Sequence, residues 1–148
     1  MKKGFSLPLF VAAAARSAVK KLVGLSFENY ELIKIPNKEK SIKIAVHSSG
    51  LLSNNSNALA ISFVKSGLEL DITENLEIWT MVSLEENSKK LFYPKDLINI
   101  IAGYGVGIKE DTSEICISNF AKEVLYVNLL DIIPKGFRLN LEIIFPNG

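Results

Sequence analysis

The chain has 148 residues, enough for one domain with a real core, and its 48% hydrophobic and 22% charged content excludes a disordered chain. A formal net charge of +1 gives neither the basic footprint of a nucleic-acid binder nor the one-signed surface of a membrane-bound protein. The single cysteine, Cys116, excludes an internal disulfide framework and a cysteine-rich zinc site, and fits a reducing cytoplasm.

The first segment, MKKGFSLPLFVAAAARSAV, has the two lysines and small apolar residues of a secretory signal. Its periodicity, however, continues through Arg16, Lys20 and Lys21, with Ala12, Ala15, Val19, Leu22 and Val23 on one face. The pattern predicts a helix with Ser6 as N-cap, Pro8 in the first turn and Gly24 as the C-terminal stop. The apolar run is too short to span a bilayer.

A hairpin follows, with strands over 29–35 and 41–46 joined by the polar turn PNKEK. HSSGLLSNNSN reads as a loop, since eight of its eleven residues are Ser, Asn or Gly. ALAISFVK reads as a third strand and residues 76–84 as a fourth, with Leu76, Ile78, Thr80, Val82 and Leu84 on one face; residues 97–102 give a fifth. From Asn119 to Ile132 the spacing is helical, with Phe120, Val124 and Val127 in one stripe and Leu125, Leu129 and Ile132 in the next. FRLNLEIIF then alternates strictly, with Phe137, Leu139, Leu141, Ile143 and Phe145 inward. These elements predict a single α+β domain over 1–148, with a mixed β-sheet and an N-terminal helix and a second helix packed on one side.

Residue types with chemical potential are few. His47, the only histidine, has no acidic neighbour in sequence and no nucleophile-elbow pattern, and reads as a loop-edge residue. Cys116 is flanked by isoleucines, as an inert buried thiol is. Glu69, Asp71 and Glu74 form an acidic loop that suits either a positioned ligand or plain solvation. No metal site is expected. The segment IAGYGVG places Gly103, Gly105 and Gly107 at alternate positions, but it is not G-x-G-x-x-G, no Walker lysine follows, and Glu110, Asp111 and Glu114 would repel a phosphate. What remains is backbone freedom and close approach, in a turn or in the wall of a ligand cleft.

Several segments, in order, resemble the N-terminal part of the CbiD family, cobalt-precorrin-5B C-1 methyltransferases of cobalamin biosynthesis. The family opens with Gly-Phe/Tyr-Thr-Thr-Gly-Thr-Cys and a run of alanines; Gly4, Phe5 and Ala12 to Ala15 match, and Gly24 ends the helix as it does there. The hairpin with its proline turn, Ile35-Pro36, is similar. Against the family's Lys-Asp-Ala-Gly-Asp-Asp-Pro-Asp-Val-Thr and following Leu-Glu-Ile, this chain sets Lys65, Gly67, Asp71, Thr73, Leu76, Glu77 and Ile78, with one residue deleted. Ala102-Gly103-Tyr104-Gly105-Val106-Gly107 stands for Gly-Gly-x-Gly-Val-Gly, Ser113, Glu114 and Ile117 for the segment before the second helix, and Pro146-Asn147-Gly148 for Pro-x-Gly. The departures are Ser6-Leu7-Pro8-Leu9-Phe10 for the hydroxyl-rich opening, Leu68-Glu69-Leu70 for Asp-Asp-Pro, Ala121-Lys122 for a proline-arginine element, and the absent C-terminal portion.

The resemblance implies methyl transfer from S-adenosylmethionine to C-1 of a cobalt-tetrapyrrole, with cobalt only as part of the substrate. It directs attention to the loops 65–74 and 102–114. The catalytic candidates are Asp71, Thr73 and Glu114; the cofactor-binding candidates are Gly103, Gly105, Gly107 and Lys65. A partner chain supplying the C-terminal portion is one implication. Its counterpart is a non-catalytic subunit that completes a partner's site, with Leu68 and Leu70 as the apolar contact. An unrelated globular domain would lack the helix-then-hairpin start.

Overall fold

A computed structural model describes residues 3–65, 75–86, 96–106 and 118–147. Helix α1 spans Lys3–Leu22 and ends as the sequence predicts. Gly24 takes φ +93°, its N–H donates to the Lys21 carbonyl, and the Leu25 N–H reaches back to the Lys20 carbonyl, the paired bonds of a Schellman cap. The start differs from expectation. The helix begins at Lys3 instead of behind Ser6, so Pro8 lies inside it. Pro8 has no N–H to offer the Gly4 carbonyl, a loss of one bond close to the helix end. The segment that follows is buried almost throughout and carries the helix past that gap.

The one-sided apolar face is also corrected. Ala12, Ala13, Ala14 and Ala15 are all 0% exposed. Four consecutive buried residues take in every side of a helix. The cause is position: α1 contacts the large sheet, the hairpin and the second helix together. Alanine lets it approach the sheet closely where β4 presents Ala58 and Ala60, themselves fully buried.

The hairpin forms as predicted, from β1 (Tyr30–Lys34) and β2 (Ser41–Ala45), in a register running from Tyr30↔Ala45 to Lys34↔Ser41. The expected loop over 47–57 does not hold throughout. Ser48–Leu52 forms β3 and pairs antiparallel with β4 (Asn57–Phe63). Between them Ser53, Asn54 and Asn55 have φ of 49°, 58° and 68°, a left-handed turn that asparagine tolerates. A Ser/Gly-rich edge strand has little intrinsic β-preference; pairing with β4 supplies it.

The remaining elements are β5 (Glu77–Glu86), β6 (Ile98–Ala102), α2 (Asn119–Leu129, with a 3-10 turn over Leu130–Ile132) and β7 (Phe137–Ile144). They complete a five-stranded sheet of order β3-β4-β5-β7-β6. Only β6 and β7 pair in parallel, because α2 lies between them in the chain and provides the crossover. The sheet is therefore mixed, and both helices share one core with its inner face, giving the predicted α+β architecture.

Register fixes the inner face. Ala58↔Val82↔Leu141↔Ile100 and Ala60↔Thr80↔Ile143↔Ala102 are rows across the sheet. Within them Ala58, Ala60, Thr80, Val82, Leu141 and Ile143 are buried. From α2, Val124, Leu125 and Leu129 join this core, while Val127 is 41% exposed and lies outside the stripe expected for it. Ser118 caps α2, its Oγ accepting from the Ala121 N–H at 3.1 Å.

Polar groups tie the hairpin to the helices. Asn128, buried on α2, accepts from the Lys34 N–H at 2.7 Å and donates to the Lys34 carbonyl at 3.0 Å, so a side-chain amide takes the place of a further strand at the edge of β1. Glu31, 3% exposed, meets Arg16 Nε at 3.3 Å and Lys20 Nζ at 3.2 Å; Arg16 continues to Asp131 at 2.8 Å. Among the described residues no helix is long and apolar enough to cross a membrane.

Candidate functional site

The two loops singled out from sequence leave the sheet at one end. Strand β4 runs out through Val64 and Lys65, and β5 begins after Asn75 and Leu76. Backbone bonds from Val64 N–H to the Leu76 carbonyl (3.0 Å) and from Asn75 N–H to the Val64 carbonyl (2.8 Å) hold these roots together. Trp79 is opposite Ile144, so the start of β5 lies beside the end of β7. The end of β7 lies beside the end of β6, since those two strands are parallel. Two strand spacings separate β5 from β6, so the roots of the 65–74 and 102–114 segments stand roughly 10 Å apart. A βαβ crossover places its first loop at the carboxyl ends of its parallel strands, the usual position for a ligand crevice in such units.

Two glycines of the alternate-glycine segment are placed, and their packing is specific. The Gly103 N–H donates to the Ile143 carbonyl at 2.8 Å, and the Phe145 N–H to the Tyr104 carbonyl at 2.8 Å, which prolongs the β6–β7 ladder past the strand ends. A Cβ on Gly103 would lie 2.6 Å from Ile144 Cγ1 and 2.8 Å from the Ile143 oxygen. A Cβ on Gly105 would lie 2.3 Å from the Phe145 oxygen. Gly105 also has φ +80°, and the Val106 N–H closes a turn onto the Gly103 carbonyl at 3.2 Å, as in a type II turn. Close backbone approach is thus made by the chain's own strand β7.

Polar side chains gather at the same end. Lys65 donates to Asn75 Oδ1, linking the two roots of the acidic loop. Glu77 accepts from Trp79 Nε1 at 2.6 Å and from Asn147 Nδ2 at 3.2 Å. Glu142 Oε2 reaches to 2.9 Å of the position a Gly103 Cβ would occupy. Sequence reasoning matched Glu77 within a motif but gave it no role; its signal was position beside the acidic loop. Glu142 offered no signal, because an outward carboxylate on an alternating strand is ordinary.

The other candidates divide in two groups. Asp71, Thr73, Glu114 and Gly107 lie outside the described residues, as do Leu68, Leu70 and Cys116. His47 is exposed between β2 and β3, with its ring edge-on to Phe63 at 5.6 Å and Nδ1 3.1 Å from Ser48 Oγ. Among the described residues no group of three His, Cys, Asp or Glu side chains could hold a metal ion.

Comparison with known proteins bears on this geometry. The CbiD family model matches residues 1–148, the whole chain. The chain is 76% identical over 148 residues to a cobalt-precorrin-5B C(1)-methyltransferase of Prochlorococcus marinus (strain MIT 9215), with all of this chain and 40% of the relative covered. It is 75% identical to the protein of that name from strain MIT 9312, again covering 40% of it, and 43% identical to the one from strain NATL2A, covering 39%. The chain therefore spans about 40% of the length of the curated relatives it matches. No solved structure matches it.

Proposed function

We propose, from the premise that this chain belongs to the CbiD family, that residues 1–148 are one α+β unit of a corrinoid-pathway methyltransferase. The observation that carries the reading is the 76% and 75% identity, along the whole chain, to two proteins named cobalt-precorrin-5B C(1)-methyltransferase. In the proposed reaction, the methyl carbon of S-adenosylmethionine passes to a ring carbon of the cobalt-tetrapyrrole. That carbon supplies the electron pair of the new bond, and the sulfur keeps the pair of the bond that breaks.

A sulfonium donor is already reactive, so the protein's contribution is chiefly to hold donor and acceptor in line. We assign the donor to the sheet end where the two loops root, with Gly103, Gly105, Gly107 and Lys65 around it. Glu77 supports the assignment, since a carboxylate at this end suits a cationic donor. Asp71, Thr73 and Glu114 are assigned the substrate's polar contacts and any proton that the ring must lose.

In a second arrangement the site is complete only with the remaining portion of the relatives, of whose length this chain spans 40%. Titration calorimetry separates the two. S-Adenosylmethionine and a cobalt-corrinoid are titrated into the chain alone, and again with the remaining portion of the MIT 9215 relative present. Binding to the chain alone, weakened by Lys65→Ala, supports a donor site within residues 1–148. Binding only to the pair supports the completed site. No binding of either compound in both cases removes the methyltransferase reading.

A further inference from the structure

The helices and the hairpin lie on one side of the five-stranded sheet, where α1 crosses β3, β4 and β5. The opposite face is set by the same register. One row runs Gly50↔Leu59↔Met81↔Glu142↔Ile101, and the next Ser48↔Ile61↔Trp79↔Ile144. Leu59, Ile61, Trp79, Met81 and Ile144 are only partly buried, and Ile101 is 41% exposed. Along β4, β5 and β7 the adjacent inner-face residues Ala58, Ala60, Ile78, Thr80, Val82 and Ile143 are buried. The apolar rows are bordered by a polar row, Asn57↔Ser83↔Asn140↔Asn99, and then by Glu85↔Arg138. An apolar centre with a polar rim is the anatomy of a buried interface, not of a solvated sheet face, which alternates apolar-in with polar-out.

We infer that this outer sheet face is the docking surface for the part of the CbiD relatives beyond the 40% that this chain spans. Two observations choose that occupant. The first is length: the relatives hold more than another such chain's worth of polypeptide. The second is the course of the chain. Strand β7 brings Ile144 into the apolar rows, and Asn147 is fastened to Glu77, which stands on the same face opposite Phe63. Polypeptide continuing from Asn147 starts at the border of the patch, so the connection to a layer covering it is short. The inference is independent of the methyl-transfer chemistry and holds whether or not the protein binds S-adenosylmethionine.

Met81 is a built-in probe, because the chain's other methionine is Met1. Its oxidation by hydrogen peroxide is followed by peptide mass mapping in two proteins: this chain, and this chain extended by the remaining portion of the MIT 9215 relative. The expected result is oxidation at least fivefold slower in the extended protein, at all protein concentrations. Met81→Lys is expected to leave the urea midpoint of the 148-residue chain unchanged and to lower that of the extended protein. Equal oxidation rates in the two proteins would overturn the inference. So would protection of the short chain that grows with its concentration, which assigns the face to a second copy. An equal loss of stability from Met81→Lys in both proteins places Met81 in a core complete within this chain, and overturns it as well.

Discussion

Gly105 combines a positive φ with a Cβ position 2.3 Å from the Phe145 carbonyl oxygen, so alanine there meets both a left-handed backbone and another strand's main chain. Gly105→Ala is expected to cost about 2–4 kcal/mol in urea unfolding, with no ligand present. A loss below about 0.5 kcal/mol would show that the strand ends separate easily. Thr80 is a second single-residue case. Fully buried between Ala60 and Ile143 in its row, its hydroxyl has no hydrogen-bond partner among the described residues. Thr80→Val keeps the shape and removes that group, and is expected to stabilise the fold by about 1 kcal/mol. Destabilisation would mean that the hydroxyl has a partner, such as an internal water. The sequence exposes these residues unequally. Alternate glycines announce close approach, but not that the approaching group is strand β7. Thr80 reads only as one more inward position of a strand, because nothing in a linear pattern reports whether a buried hydroxyl finds an acceptor.

Local patterning carries most elements and loses those that other elements create. The β1–β2 hairpin, the alternation of β5 and β7, and the Gly24 stop are written in spacing and turn chemistry that act within a few residues. Strand β3 is not, because its pairing with β4 outweighs a composition suited to loops. Nor is the full burial of Ala12 to Ala15, which results from three partners surrounding α1. The charge network is of this second kind. Burial is the main cause that raises the Glu31 carboxyl above its ordinary 4.5, with Lys20 and Arg16 opposing it in part. A carboxyl with a raised folded-state value holds its proton more tightly when folded. Its contribution to stability is therefore full below the ordinary value and is lost as pH rises through the folded one. Unfolding of the native chain and of Glu31→Gln is compared from pH 4 to pH 7. The stability of the native chain relative to Glu31→Gln is expected to fall across that range. A relative stability that rises with pH would mean that the Arg16 and Lys20 pairs outweigh burial.

At the scale of the molecule, the mixed sheet covered by helices on one face positions two loops at one end and leaves an apolar outer face. The roots of those loops were legible as motif positions, but their meeting needs the strand order β4-β5-β7-β6, which no local pattern contains. Asp71, Thr73 and Glu114 remain sequence assignments, joined to the site by those roots. The central claim, that this CbiD-family unit takes part in methyl transfer to a cobalt-tetrapyrrole, is tested most directly with a labelled methyl group. S-Adenosylmethionine labelled in that group and cobalt-precorrin-5B are given to the chain extended by the remaining portion of the MIT 9215 relative, with the intact relative as control. The account predicts label at C-1 of the tetrapyrrole, reduced about 100-fold or more by Asp71→Asn. Label that stays on the donor, where the intact relative transfers it, would contradict the account.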